Sequence, residues 1–181
     1  MCGLRRGMVL NGGNKWKDLE HFEEVRRREY GNADIKIEHL EDQSLVAVQG
    51  PYAAEALQKL FKTDLQRVSF MQFFKEKVEA GINAELTAYR TGYTGEDGFE
   101  VSMPSAAAVP FVEFLLSEGV TPAGLAARDA LRLEAGLCLH GHDISEDISP
   151  VEAQLQWTIR KQNQKIPFIG YEALQKIKAV P

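Results

Sequence analysis

The sequence is poor in cysteine and has no excess of positive charge. Its 181 residues include only Cys2 and Cys138, too few for a disulfide framework or a cysteine-based metal site. Lys and Arg together number 21 against 26 Asp and Glu, so the net charge is −5. Because phosphate binding needs a basic excess, nucleic acid is not an expected partner. No apolar run approaches the roughly 18 residues typical of a membrane span, so no membrane partner is expected either.

The signature motifs of several enzyme classes are also missing. The sequence contains no Cys-x-x-Cys, no His-Glu-x-x-His, no Walker loop and no Gly-x-Ser-x-Gly. His140, His142 and Asp143 could ligate a metal, but two histidines at i and i+2 with one aspartate form a weak pattern. Because no further well-spaced ligand lies nearby, we interpret these residues as structural and predict no metal.

The hydrophobic pattern predicts an α+β fold, because helices and strands follow one another without strict βαβ alternation. The predicted helices are Lys15–Tyr30, Ala53–Phe61, Ala106–Glu118 and Pro122–Ala135. The predicted strands are Asp34–Leu40, Ser44–Gln49, Ala84–Arg90, Phe99–Met103 and Trp157–Ile159.

The segment RTGYTGEDGFE, from Arg90 to Glu100, places three glycines and three acids between two predicted strands. A phosphate cradle is disfavoured because the carboxylates would repel the anion, and a calcium loop would alternate its acids over a longer span. A carboxylate that accepts from two adjacent N–H groups, such as those of a pterin ring, fits better. Phe99 and Glu100 are strand neighbours, so Phe99 can enter the core while Glu100 faces a pocket. From the spacing alone, a solvated acidic turn remains the alternative.

The segment Ala126–Glu134 is a second candidate for function. Arg128 and Arg132 lie one turn apart on a predicted helix, with Asp129 beside them. The alternative interpretation is a salt-bridged stripe exposed to solvent, which is reasonable for Arg132 alone.

Five segments in order resemble one family. They are NGGN near the start, LVAVQGP, GYTGEDGFE, GLAARDALRLEAGLCLHGHDI and SPVEAQLQWTI, and together they resemble the T-protein of the glycine cleavage system, the aminomethyltransferase family. The resemblance covers nearly all of this chain but about half of the family's usual length. It implies a folate-binding aminomethyltransferase-type fold, with mixed or antiparallel sheets and packed helices. Residues 1–43 would end a ferredoxin-like lobe, and 44–181 would form the main folate-binding lobe, truncated before a C-terminal β-rich domain.

The resemblance also implies a reaction and its partners. In this family a lipoylated H-protein carries an aminomethyl group, tetrahydrofolate takes its methylene, and ammonia and 5,10-methylenetetrahydrofolate are formed. Tetrahydrofolate is a co-substrate, and no metal or redox cofactor is required. The implied location is the mitochondrial matrix in eukaryotes and the cytoplasm in bacteria.

Four residues of this chain match ligand-binding positions of the family. Glu100 and Arg128 match the folate-binding glutamate and arginine, Tyr93 matches a tyrosine of the same pocket, and Asn11 falls in a stretch near the ligand. Glu96 and Asp97 are expected to shape the loop instead. The family's catalytic aspartate would lie upstream, so no catalytic residue is predicted here and turnover by this chain alone is not expected.

Two alternatives follow from this resemblance. A catalytically silent folate-binding fragment is one, because no residue matches the catalytic aspartate. The folate-binding half of a dimethylglycine or sarcosine dehydrogenase-like protein is the other, which the sequence GHD at residues 141–143 slightly favours. The segments LRLEAGLCL and PVEAQLQWTI favour the T-protein.

Overall fold

A computed structural model describes residues 7–31, 33–159 and 168–178 of the chain. Within it the chain divides into two compact units, Met1–Glu41 and Asp42–Pro181. The assignment of residues 1–43 to a ferredoxin-like lobe and of 44–181 to the main folate-binding lobe stays a prediction. In the described part of the chain, no helix is long and apolar enough to cross a membrane.

The first unit is built around one helix, α1, which spans Lys15–Tyr30 as predicted. A 3₁₀ helix, Gly12–Asn14, precedes it, and the side chain of Asn11 caps that helix by accepting the N–H of Gly13 at 3.2 Å. The predicted strand Asp34–Leu40 is wrong, because these residues have no regular secondary structure. Their alternating pattern fits a strand, but a strand requires a hydrogen-bonded neighbour, and the described residues provide none.

The second unit contains a four-stranded antiparallel sheet. Its strands are β1 (Gln43–Gln49), β2 (Phe73–Val78), β3 (Ala84–Tyr89) and β4 (Gly98–Pro104), in the spatial order β1-β4-β3-β2. The helices of this unit are α2 (Ala53–Gln58), α3 (Ala108–Ser117), α4 (Leu125–Glu134) and α5 (Tyr171–Lys178). This arrangement confirms the predicted α+β class. Strand β4 follows the segment with three glycines that begins at Arg90, which we call the glycine-rich loop. This strand lies inside the sheet, between β1 and β3.

One face of the sheet packs on the hydrophobic core. Alternate residues of β4 point into it, and the side chains of Phe99, Val101 and Met103 are completely buried. Phe111 of α3 and Leu57 of α2 are buried in the same cluster. The opposite face therefore carries the remaining alternate residues of each strand, and Glu100 is one of them.

Several differences from the predicted elements concern the second unit, among them helix α2, which ends at Gln58 and not at Phe61. Helix α4 begins at Leu125 and not at Pro122, because Pro122–Gly124 are not helical. The predicted strand Trp157–Ile159 is wrong, since Gln156–Thr158 form a 3₁₀ helix without a strand partner. Strand β2 was not predicted, and of its aromatic residues Phe74 packs edge-to-face on Phe61 at 5.0 Å between ring centroids.

Candidate functional site

Glu100 lies on β4, on the sheet face opposite the core. It is in register with Ala47 of β1 and Tyr89 of β3, so neighbouring strands flank it on both sides. Its neighbour Phe99 is fully buried whereas Glu100 is half-buried, which matches the opposite orientations expected of adjacent strand residues. The hydroxyl of Thr91 donates to Oε2 of Glu100 at 2.6 Å. The carboxylate is thereby tied to the loop that precedes its own strand.

The three glycines of this loop make close contacts that a side chain would prevent. A Cβ at Gly92 would lie 1.9 Å from Oε1 of Gln49, and one at Gly98 would lie 2.7 Å from Nε2 and 2.8 Å from Cα of the same residue. Gly95 has a φ of +77°, a left-handed conformation, and its Cβ would lie 2.8 Å from that of Ala135 at the end of α4. The glycines therefore allow the loop to pack against β1 on one side and α4 on the other.

Gln49, the last residue of β1, holds both stems of the loop. Its Nε2 donates to the carbonyl oxygens of Thr91 at 3.1 Å, Phe99 at 3.3 Å and Val48 at 3.2 Å. Its Oε1 accepts from the hydroxyl of Thr94 at 3.2 Å. No role for Gln49 is predicted from the sequence. The one sequence signal that could have indicated such a role is its position, as a polar residue that ends an otherwise apolar strand just before Gly-Pro.

Arg90 and Asp97 close the base of the loop with a bidentate ion pair. The Nε and Nη2 atoms of Arg90 donate to the two carboxylate oxygens of Asp97 at 2.9 and 2.7 Å. Nη1 of Arg90 also donates to the carbonyls of Leu65 and Val68 at 3.1 and 2.6 Å. The hydrogen bond from Arg90 lowers the pKa of Asp97, so that this carboxylate stays ionised. Asp97 shapes the loop, as expected from the sequence.

Tyr93 and Arg128 are brought into direct contact. The guanidinium carbon of Arg128 lies 5.2 Å from the centroid of the Tyr93 ring, within the range of a cation–π interaction. The Tyr93 hydroxyl donates to the carbonyl of Cys138, and the carbonyl of Leu137 lies 3.4 Å away. Burial raises the pKa of Tyr93, so the phenol remains a protonated donor at neutral pH. In the described residues, no carboxylate forms an ion pair with Arg128.

Arg132 fixes the segment that receives the Tyr93 hydrogen bond. It is 3% exposed, and its guanidinium pairs with Asp129 at 2.7 Å and with Asp143, and donates to the carbonyl of Leu137 at 3.1 Å. Asp143 also accepts the N–H of Leu139 at 2.9 Å, and this bond and Arg132 lower the pKa of Asp143. The interpretation of Arg132 as part of an exposed stripe is wrong, because the helix turns it toward residues 137–143.

In the His140-Gly-His142-Asp143 segment, the aspartate has a structural role. Asp143 is engaged by Arg132, and His140 forms an isolated β-bridge with Ile144. Across residues 7–31, 33–159 and 168–178, no group of three or more His, Cys, Asp and Glu side chains is placed to hold a metal ion.

A cavity of about 620 Å³ adjoins the same segment. Its walls include Leu137 and Cys138, whose carbonyls face Tyr93, together with Ile144, Leu155 and Trp157. The volume lies in the range of small-molecule sites. The backbone that fixes Tyr93 therefore also borders a concave space whose walls are partly apolar and partly polar.

Comparisons with known proteins identify the family. The model of the family described as "GCVT N-terminal domain" matches residues 5–163. The chain belongs to this family. The chain is 43% identical to a mitochondrial aminomethyltransferase of Dictyostelium discoideum, over 93% of the chain and 44% of that protein. It is 43% identical to an aminomethyltransferase of Listeria monocytogenes, over 96% of the chain and 46% of that protein. These two relatives come from a eukaryote, in which the protein is named mitochondrial, and from a bacterium.

A solved structure shows the same relation. The crystal structure of the glycine cleavage system aminomethyltransferase T from Bartonella henselae matches with a TM-score of 0.79 and 38% sequence identity, over 94% of this chain and 45% of that one. The chain thus spans about 45% of the length of the relatives it matches. The resemblance inferred from the five sequence segments is confirmed.

Four residues of this GCVT N-terminal domain are predicted from the sequence to bind the ligand, and the structure brings only some of them together. Tyr93 and Arg128 are in contact, and Glu100 is linked through Thr91 to the loop that carries Tyr93. Asn11 belongs to the other compact unit, where it caps a 3₁₀ helix. A ligand-binding role for each of the four residues stays a prediction.

Proposed function

We propose that this chain is the folate-binding part of an aminomethyltransferase of the glycine cleavage system. The family and the names of the relatives support the reaction class. One observation carries the assignment of the ligand. The half-buried Glu100 carboxylate accepts a single hydrogen bond, from Thr91, and pairs with no cation in the described residues. Its remaining lone pairs are available to a ligand that presents adjacent N–H donors.

The pterin ring of tetrahydrofolate has this donor pattern. Its exocyclic amino group and the neighbouring ring N–H lie side by side, so one carboxylate can accept from both. Tyr93 and Arg128 would form another wall of the pocket, with the guanidinium directed to an acceptor oxygen of the substrate. A folate-binding role for Asn11 rests on the family resemblance alone.

The proposed reaction transfers one methylene group. The substrate carbon is bonded to a sulfur of the lipoyl arm of H-protein and to an amino nitrogen. In the product this carbon bridges N5 and N10 of tetrahydrofolate. The C–S and C–N bonds break, and the two protons from N5 and N10 balance the release of dihydrolipoyl thiol and ammonia. No electrons are gained or lost overall, so the reaction needs no oxidant.

Positioning and electrostatics would supply most of the catalysis. Carbon bonded to two heteroatoms develops iminium-like positive charge as the first of them leaves, and fixed carboxylates stabilise such charge. Because the chain spans about 45% of its relatives, we propose this reaction for the full-length protein. We expect the 181 residues to bind folate without turnover, since none of them matches the family's catalytic aspartate.

The proposed macromolecular partner is the lipoylated H-protein. The acidic balance of the chain, with a net charge of −5, gives no support to nucleic acid as a partner. The proposed compartment is the mitochondrial matrix for a eukaryotic source and the cytoplasm for a bacterial one.

The test is tetrahydrofolate binding by a matched pair of variants. Glu100→Gln keeps the size of the side chain but replaces one acceptor oxygen with a donor that opposes the pterin N–H. Hydrogen bonds to charged groups contribute about 1.5–3 kcal/mol, so calorimetry should show binding at least about tenfold weaker. Glu96→Gln is the control, since Glu96 is exposed near the tip of the same loop, and it should change the affinity less than twofold. Unaltered affinity in Glu100→Gln would refute the assignment.

A further inference from the structure

The amide of Gln49 connects two backbone segments that the β3–β4 ladder leaves unpaired with each other. The β3–β4 ladder ends at the pair Tyr89 and Glu100. Beyond this pair the chain diverges into the loop, and the amide nitrogen of Gln49 bridges the Thr91 and Phe99 carbonyls in place of a ladder bond. The stems of the loop are therefore held by a side chain from β1.

The orientation of this amide follows from its neighbours. Carbonyl oxygens can only accept, so the –NH₂ group must face the carbonyls of Val48, Thr91 and Phe99. The amide oxygen then faces the hydroxyl of Thr94, which can donate to it. A side chain with no donor at this position would leave these loop carbonyls without their bridge.

The loop is shaped around this side chain. The space that a Cβ would need at Gly92 is occupied by the amide group of Gln49. At Gly98 the backbone carbonyl oxygen of Val48, at 2.5 Å, and Nε2 of Gln49, at 2.7 Å, occupy that space. The backbone N–H of Gly50 adds a hydrogen bond to the carbonyl of Asp97 at 2.8 Å. The glycine spacing and the end of β1 are thus two parts of one arrangement.

The same contacts reach the proposed ligand site. Thr91, whose carbonyl Gln49 holds, donates through its hydroxyl to Glu100, and Gln49 lies diagonally across from Glu100 on the same sheet face. In the sequence, Tyr93 lies between Thr91 and Thr94, and Gln49 forms hydrogen bonds with both of these threonines. We propose that Gln49 is a positioning residue that sets the orientation of Glu100 and Tyr93 for tetrahydrofolate. This inference rests on the proposed function.

The first test compares two glutamines whose amide nitrogens both bridge backbone carbonyls. Gln58 donates to the carbonyls of Phe61 and Thr63, both at 3.0 Å, and accepts the N–H of Leu65 at 2.9 Å. Among the described residues it makes no hydrogen bond to the loop. We expect Gln49→Leu to weaken tetrahydrofolate binding to the 181-residue chain by tenfold or more, measured by calorimetry at a temperature where the variant is folded. Gln58→Leu should lower the melting temperature yet leave the dissociation constant within twofold. A purely structural role for Gln49 would give both variants the same behaviour, and that result would overturn the proposal.

A double-mutant cycle provides the second test, and its first arm leaves Gln49 in place, so that arm can be measured even if Gln49→Leu fails to fold. Gly92→Ala should weaken tetrahydrofolate binding by displacing the Gln49 amide, because the new methyl group would overlap it. In a Gln49→Ala background the same glycine substitution should add less than a twofold loss, since the space is then vacant. Additive losses would contradict the proposal.

The Glu100→Gln variant separates the two hypotheses. If this substitution leaves binding unaltered, the proposed function fails. If it weakens binding while Gln49→Leu and Gly92→Ala do not, only the positioning role of Gln49 fails.

Discussion

Tyr93 makes two separable contacts, and two substitutions can measure them independently. Tyr93→Phe removes the hydroxyl that donates to the Cys138 carbonyl but keeps an aromatic ring beneath Arg128. Tyr93→Leu removes both. Tyr89 is the control, because its ring stacks on Phe73 at 5.4 Å and, among the described residues, its hydroxyl makes no hydrogen bond.

The expected losses follow from the geometry. One side-chain hydrogen bond to a backbone carbonyl contributes about 0.5–1.5 kcal/mol, and its loss in a domain of this size lowers the melting temperature by about 1–6 °C. A cation–π contact at 5.2 Å on a half-buried arginine adds about 0.5–1 kcal/mol. Tyr93→Phe should therefore lose about 1 kcal/mol and Tyr93→Leu about 2 kcal/mol in free energy of unfolding, with Tyr89→Phe close to the parent protein.

Denaturant unfolding followed by circular dichroism measures these free energies. Equal stability of Tyr93→Phe and the parent would refute the role of the hydroxyl, and equal losses in Tyr93→Phe and Tyr93→Leu would refute the contact with Arg128. The pH dependence is a further check. Burial raises the folded-state pKa of Tyr93, so its contribution is present below about pH 10 and is lost as pH rises above that value. This alkaline loss should be absent in Tyr93→Phe.

Two further predictions concern the loop that precedes β4. Gly98→Ala should destabilise the chain by about 1–2 kcal/mol, because overpacking costs about 1–3 kcal/mol and the reduced entropy of the unfolded chain offsets about 0.4–1; its Cβ would lie 2.5 Å from a carbonyl of β1. Gly124→Ala is the control, because no atom lies within 4 Å of its new methyl group. Equal losses of melting temperature in the two variants would contradict this account. Asp97→Asn should flatten the acid limb of the stability curve. Arg90 lowers the pKa of Asp97, so the stabilisation is present above about pH 4 and is lost as pH falls below it. Unchanged acid sensitivity in this variant would show that the ion pair contributes nothing, and salt should weaken the effect because Asp97 is 44% exposed.

Local patterns in the sequence predicted what depends on local structure. The amphipathic stripe of α1 identified its bounds, and strand alternation placed Phe99 and Glu100 on opposite sheet faces. The glycine-rich loop was recognised because it is long and carries more glycines than a hairpin requires. The family resemblance, confirmed by the comparisons, rested on motifs of the same kind.

The errors and omissions involve contacts between distant segments. Asp34–Leu40 alternates like a strand, but pairing decides whether a strand forms, and alternation does not reveal the partner. The bridging role of Gln49 depends on antiparallel pairing with a segment 50 residues away. An exposed stripe is an open alternative for Arg132 in the sequence, because its helix pattern shows charge without showing that residues 137–143 return to cover it. Single-sequence periodicity contains no information on either arrangement.

The position of β4 inside the sheet also has a consequence for the order of folding. The pairs β2–β3 and β3–β4 join strands that are neighbours in sequence, whereas β1 reaches β4 across about 50 residues. Closing a longer loop costs more chain entropy, so the two local hairpins are expected to form before β1 docks on their free edge. Gln49 arrives with β1, and until then the glycine-rich loop lacks the amide that holds its stems. The final docking step of the sheet and the ordering of the proposed folate-binding wall are therefore one event.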